Sequence, residues 1–300
     1  MLTFPSSFSD NVRMIPTGPH SERMKPIQFM SPETARSVRW ILTDIDDTMT
    51  MQGKLVPEAY TTLCNLKKSG FIVIAVTGRS AGWGEVHLQE WPIDGVITEN
   101  GAVSYYRTEP GEGTQSNIDT LVHPSAVRNT APALRCAAEE ALRRFPRAKP
   151  AGDNHFRLYD YAIDHAEYVQ PPLSAAEVEG IVDIFQAAGC MAKPSSIHIN
   201  CWIGSFNKKE TTVAFLEKYC NYRDAIDREK VIYIGDALND EVMFAHFPNA
   251  CAVANIDIWL KQMTQYPAWV SNGRYGIGFA EIGRHILTAR LTQEPNQPVP

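Results

Sequence analysis

The sequence predicts an α/β protein in which a parallel-sheet core is interrupted by an inserted α+β domain. Three observations carry this. Short apolar runs alternate with helix-patterned segments at both ends of the chain, the middle has a different pattern, and reactive polar residues sit just beyond several of the runs. With 300 residues, 44% of them apolar and 21% charged, the chain is long enough for a core of one large or two modest domains.

Residues 1–36 carry prolines at 5, 16, 19, 26 and 32 without a sustained period, and are expected to form an extended or disordered arm. Regular structure is predicted to begin at "VRWILTD", whose continuous apolar run suits a strand buried on both faces. The segment "KLVPEAYTTLCNLKKSG" predicts a helix: Pro57 fits its first turn, Ala59, Leu63 and Leu66 share a face, and Gly70 fits its end. "FIVIAVTGRS" and the shorter "DGVITENGA" predict two further strands, completing a βαβ pattern.

From 103 to 202 the pattern changes. "APALRCAAEEALRRF" and "SAAEVEGIVDIFQAAG" predict helices, the second with Ser174 and Glu177 at the spacing of a capping box, while "HFRLYDYAI" and "SSIHINCWI" read as strands. A helix at "KETTVAFLEKYC", a strand at "VIYIGDALND" and a short one at "CAVAN" then resume the first pattern. The expected organisation is therefore a core of 37–102 plus 203–290, an insert of 103–202, and a flexible tail of 291–300.

Composition narrows the function. Against 34 acidic residues stand 28 basic ones, a net charge of −6, so no broad basic surface for nucleic acid is expected. No apolar run reaches membrane-spanning length, and the first 16 residues lack the pattern of a secretory signal. Cys64, Cys136, Cys190, Cys201, Cys220 and Cys251 form no CxxC pair, which suits a reducing cytoplasm.

Beyond strand ends of a parallel sheet, ligand-binding residues collect. Here those positions carry Asp44, Asp46 and Thr48, then Thr77 and Gly78, then Gly235, Asp236, Asn239 and Asp240, with Lys208 and Lys209 ahead of the last strand. Crowded carboxylates at a core edge call for a cation. An EF-hand is excluded, because its sixth and twelfth positions would be Met49 and Leu55 instead of Gly and Glu. Singly, each group also reads as a turn former, a helix cap or a solvated charge.

Together, "DIDDT", "VTGRS", "FNKKE" and "GDALND" resemble, in order, the four motifs of the haloacid dehalogenase superfamily of phosphohydrolases. The position of the insert, just after "TENGA", resembles the class IIB (Cof-type) branch with a C2 cap, and within it the trehalose-6-phosphate, sucrose-6-phosphate and mannosyl-3-phosphoglycerate phosphatases. The resemblance covers residues 38 to 290. It implies a doubly wound, Rossmann-like core and Mg²⁺-dependent hydrolysis of a small phosphate ester, with a sugar phosphate as substrate. Asp44 would be nucleophile and metal ligand, and Asp46 general acid/base and a ligand through its carbonyl. Asp236 would bind metal and Asp240 would act from the second layer. Thr77 and Lys208, with Lys209 as fallback, would serve the phosphoryl group; Asp47 has no assigned role, and Arg79 supports the loop or touches substrate.

Thr48, Gly78, Asn100 and Asn239 are expected near phosphate. In the insert, period two puts Ser196, His198 and Asn200 on one face, either reading substrate hydroxyls or facing water, and Arg157 either meets a second anion or forms a surface pair. A sugar phosphomutase remains an enzymatic alternative, and a phosphate-accepting regulatory or binding protein an alternative of another class.

Overall fold

The computed structural model describes residues 24–108 and 118–292. Along the chain run β1 (Lys25–Pro26), α1 (Pro32–Ser37), β2 (Trp40–Thr43), β3 (Thr50–Met51), β4 (Lys54–Leu55), α2 (Pro57–Lys68), β5 (Ile72–Val76), α3 (Ala81–Glu90), β6 (Gly95–Thr98), β7 (Val103–Arg107) and β8 (Ile118–Val122). The middle adds α4 (Pro132–Arg144), β9 (Lys149–Pro150), β10 (Asp160–Asp164), α5 (Ala175–Ala187), β11 (Met191–Pro194) and β12 (His198–Trp202). The chain closes with α6 (Lys208–Tyr219), α7 (Asp224–Asp227), β13 (Val231–Gly235), α8 (Glu241–His246), β14 (Cys251–Ala252), β15 (Trp269–Val270) and α9 (Tyr275–Leu291).

Nine strands form one sheet in the order β1-β15-β14-β13-β2-β5-β6-β7-β8. From β1 to β6 every pairing is parallel; β7 and β8 add on antiparallel. The strand alternation divides the core. Ile41, Val73 and Ala75 pack with α2 and α9 on one face, whereas Trp40, Leu42, Ile74 and Val76 pack with α6 and α8 on the other. Helices on both faces explain why these strands read as unbroken apolar runs, and they make the core doubly wound, as the resemblance implies.

The second unit is a four-stranded antiparallel sheet, β11-β12-β10-β9, with Ile163, Ile199 and Cys201 packed against α4 and α5. Ser174 caps α5 with the expected reciprocal bonds to Glu177. Of "HFRLYDYAI" only the second half is strand; residues 154–156 form a 3₁₀ turn.

Two expectations need correction. Residues 24–36 are not an extended arm: β1 pairs with β15, Ser31 caps α1, and Ile27, Met30 and Ala35 lie in the core beside α9. Proline served there as a strand and helix-start residue, which the missing periodicity concealed. Residues 1–23 and 293–300, the rest of the expected arm and most of the expected tail, lie outside the described residues. Second, the insert does not begin at 103, because β7 and β8 extend the core sheet; the second sheet starts only at β9. Among the described residues no helix is long and apolar enough to cross a membrane.

Ile27, 1% exposed, tests the first correction. Ile27→Ala should lower the free energy of unfolding by about 2–5 kcal/mol, read as a lower urea midpoint. An unchanged midpoint would show that this segment contributes nothing to the core.

Candidate active site

Strand order reverses at β2, which has β5 on one side and β13 on the other, and the loops leaving β2 and β13 meet at this switch point. The Asp44 N–H donates to the Ile234 carbonyl at 2.8 Å, so the sheet register itself brings Asp44 beside the loop holding Asp236. The next turn is tight. Thr48, Met49 and Thr50 N–H groups converge on the Ile45 carbonyl, and Asp47 takes a φ of 53°.

Asp44, Asp236 and Asp240 are buried and bring one carboxylate oxygen each within 4.8 Å of one another. Asp240 is fully engaged: Lys208 Nζ at 2.7 Å and the Tyr233 hydroxyl donate to Oδ1, and the backbone N–H groups of Asp236 and Ala237 donate to Oδ2. Asp236 accepts the Thr48 hydroxyl and the Asn255 amide, each at 3.1 Å. Lys208 Nζ stands 3.2 Å from Asp44 Oδ1, outside hydrogen-bond alignment.

One ammonium among three carboxylates leaves negative charge in excess. Burial raises the Asp44 pKa to about 7, with Lys208 opposing and Asp240 adding to the rise. Burial and the neighbouring carboxylates push Asp236 well above its ordinary value. Such a cluster fits a hard divalent cation that takes oxygen ligands. Asp44 and Asp236 have accepting capacity to offer it, whereas the four donors on Asp240 make that residue an anchor for Lys208 and the loop.

Lys208 and Lys209 diverge at the start of α6. Asn207 caps the helix by accepting the Glu210 N–H, and Lys208, 1% exposed, points inward while Lys209 pairs with Glu210 at the surface. Thr77 is buried at the end of β5, and its hydroxyl accepts the Arg79 N–H. The Asn239 amide donates to Asn100 Oδ1 at 3.4 Å, leaving Asn100 Nδ2 and Asn239 Oδ1 buried without partners. Gly101, φ 110°, lies so close under the Asn207 carbonyl that a Cβ would meet it at 2.5 Å.

Asp46 turns away from this cluster. Arg79 Nη2 holds Asp46 Oδ1 at 2.6 Å, and Nη1 lies 3.2 Å from His87 Nε2. Burial would raise the Asp46 pKa, but the Arg79 charge and hydrogen bonds outweigh it and hold the carboxyl below its ordinary value. His87 is driven the other way, down to about 4, by burial and by the Arg79 charge, so its ring is neutral and accepts from the guanidinium.

Several expected substrate groups have other partners. Arg157 is no surface or anion-binding residue: buried, it bonds Asp153, Asp160 and the Gly78 carbonyl. Asn200 donates to Gly78 and Asp160, so it too joins insert to core. Thr48 is committed to Asp236. His198 does face the core, though its ring bonds Glu167 Oε2 at 2.9 Å, and the face it shares with Asn200 is buried instead of wet. A side chain at Gly78 would crowd this corner, since a Cβ would stand 3.0 Å from Asn200 Oδ1.

Sequence reasoning missed Glu99, Asn255 and Tyr233. Glu99 accepts four backbone N–H groups, from Ala81 at the start of α3 and from Leu158, Tyr159 and Asp160 of the insert. Its place in "TENGA" was the available signal. Asn255 left none, because one partner, Asp47, is 208 residues away, and Tyr233 left none, because within an apolar strand it reads as a core residue.

A family model for haloacid dehalogenase-like hydrolases matches residues 41–119 and 195–277. The chain belongs to that family of hydrolases. Among curated proteins none matches in sequence. Solved structures do. A Thermoplasma acidophilum protein is 17% identical with a TM-score of 0.60, covering 83% of this chain and 98% of its own. A haloacid dehalogenase-like hydrolase from Bacteroides thetaiotaomicron is 15% identical with a TM-score of 0.57, covering 83% and 99%. A sugar phosphatase of subclass IIB is 14% identical with a TM-score of 0.55, covering 83% and 98%. At these identities the likeness is one of fold.

The carboxylate cluster predicts how stability responds to pH and metal. A carboxyl whose pKa is raised on folding favours the fold below its unfolded value and loses that contribution as pH rises through the folded one. In chelator-treated protein, Asp44→Asn should therefore gain thermal midpoint relative to the unmodified chain between pH 5 and pH 8. Adding Mg²⁺ should raise the midpoint of the unmodified chain and move that of Asp236→Asn much less. Parallel midpoints across the pH range, or equal Mg²⁺ shifts, would contradict the charge assignment.

Proposed function

We propose that the chain is a Mg²⁺-dependent phosphomonoester hydrolase that works through an aspartyl-phosphate on Asp44, acting on a phosphorylated sugar or a metabolite of similar size. One observation carries the reading: at the sheet's switch point a carboxylate and an ammonium stand 3.2 Å apart, with a second carboxyl, Asp46, two residues on and facing an open cavity.

The chemistry is set by charge. A phosphate monoester dianion repels an attacking carboxylate, and its hydrolysis in water is among the slowest biological reactions. Lys208 neutralises phosphoryl oxygens beside Asp44, and Asp240 holds that ammonium in place. A divalent cation held by Asp44, Asp236 and the Asp46 carbonyl would supply further charge neutralisation when bound. The Thr77 hydroxyl and the unpartnered Asn100 amide orient the phosphoryl group. Attack by Asp44 forms the P–O bond to the enzyme as the ester oxygen leaves, and covalent attachment divides one barrier into two.

Asp46 gives a proton to the leaving oxygen and later takes one from the attacking water. Its pairing with Arg79 favours the ionised form, which suits the second task; for the first, an incoming ester group must draw the carboxyl from the guanidinium. Unpaired cysteines fit a cytoplasmic setting.

Phosphate release from a panel of sugar phosphates with Mg²⁺ tests the reading. Asp44→Asn should lower kcat by about 10³-fold or more, and Asp46→Asn by about 10²- to 10⁴-fold. Undiminished release by Asp44→Asn would defeat the proposal, and an isomeric phosphate in place of inorganic phosphate would make the enzyme a mutase.

A further inference from the structure

Between the β3–β4 hairpin, α3 and the insert lies a cavity of about 680 Å³, with Asp46 and Arg79 in its wall. Its lining combines two features that the proposed chemistry does not need. The first is aromatic. Trp83 of α3, 41% exposed, and Trp91 just past the helix end flank His87, their rings stacked on it at centroid distances of 5.6 and 3.9 Å, and Phe156 of the insert, 49% exposed, lines the same cavity.

The second is charge. The lining carboxylates are Asp46, Glu90, Asp153 and Glu167, and the lining cations are Arg79, held by Asp46, and Lys54 on the exposed hairpin. Arg157, the cation behind Asp153, is committed to Asp153, Asp160 and the Gly78 carbonyl. Beyond the phosphoryl position, then, no buried cation among the described residues of this wall is left to meet a second anion.

We propose that this cavity receives the leaving group and selects a single uncharged, hydroxyl-bearing ring, turning away esters that carry a second phosphate or carboxylate. The inference rests on the phosphatase reading and adds the substrate class. The C–H face of a sugar ring is apolar and slightly positive, and the faces of Trp83 and Phe156 offer it area and negative π density. Its hydroxyls find the His198–Glu167 pair, whose nitrogen and oxygen atoms stand 2.9 Å apart and present both donor and acceptor capacity. A second anion would share the cavity with Glu90 and Glu167, which line it, and like-charge contacts discriminate between ligands.

The test compares glucose 6-phosphate with glucose 1,6-bisphosphate, the same ring with and without a second anion, in Mg²⁺. Acetyl phosphate, too small to reach the aromatic wall, serves as the reference. Expected are a kcat/KM at least about tenfold higher for the monophosphate, and a narrowing of that ratio by about threefold or more in Glu90→Lys. Trp83→Ala should raise KM for glucose 6-phosphate about fivefold while acetyl phosphate turnover stays within about twofold. Equal or better use of the bisphosphate, or an unchanged KM in Trp83→Ala, would overturn the inference and leave the phosphatase reading standing. Absence of Asp44-dependent release from acetyl phosphate and from both sugars would overturn the two together.

Discussion

The Lys208 ammonium, sealed between Asp44 and Asp240, is the interaction on which the site depends. Burial alone would lower its pKa, but the charges of Asp240 and then Asp44 outweigh that effect and raise it. Asp240 in turn is tied by the backbone amides of Asp236 and Ala237 and by Tyr233, so the ammonium is fixed to the loop leaving β13. Removing Lys208 would strand carboxylates in a dry interior, which costs far more than an exposed ion pair contributes. The same cluster explains why α6 begins where it does: its Asn207 cap turns the chain so that the first helical residue faces inward.

A second set of buried charged and polar groups joins the two units. Arg157, Asp160, Asn200 and Glu99 meet around the Gly78 carbonyl, immediately beyond the strand that delivers Thr77. The insert is thereby registered against the catalytic loops by directional bonds, which specify position more narrowly than apolar contact does. Two of these residues looked like substrate contacts in the sequence, and structure gives them an architectural task.

Legibility depended on range. The strand ends could be read because a parallel sheet needs continuous apolar runs, and the residues just past such a run are fixed by local pattern: Asp44, Thr77 and Asp236 each sit within three residues of one. Lys208 and Lys209 were not separable by local pattern; the Asn207 cap that turns the first helical residue inward decides between them. Pairing between distant segments was not legible. β7 and β8 alternate like any antiparallel strands, and nothing local says that they extend the large sheet instead of starting the insert. The docking of Ile27 and Met30 depends on α9, some 250 residues away, whose face no local pattern in the first segment announces. Arg157 failed for a similar reason: its acidic partners Asp153 and Asp160 were near in sequence, but the burial that makes the trio exclusive comes from the core.

Glu99 has a mechanical consequence. One carboxylate grips the start of α3 with one oxygen and shares both oxygens among three consecutive amides of the insert, with Asn200 and Arg157 fastened to Gly78 close by. Any swing of the insert that preserves these bonds must have its axis through this corner. The residues there trace an arc of nearly zero radius, while α4 and α5, packed on the opposite face of the insert sheet, sweep the larger distance.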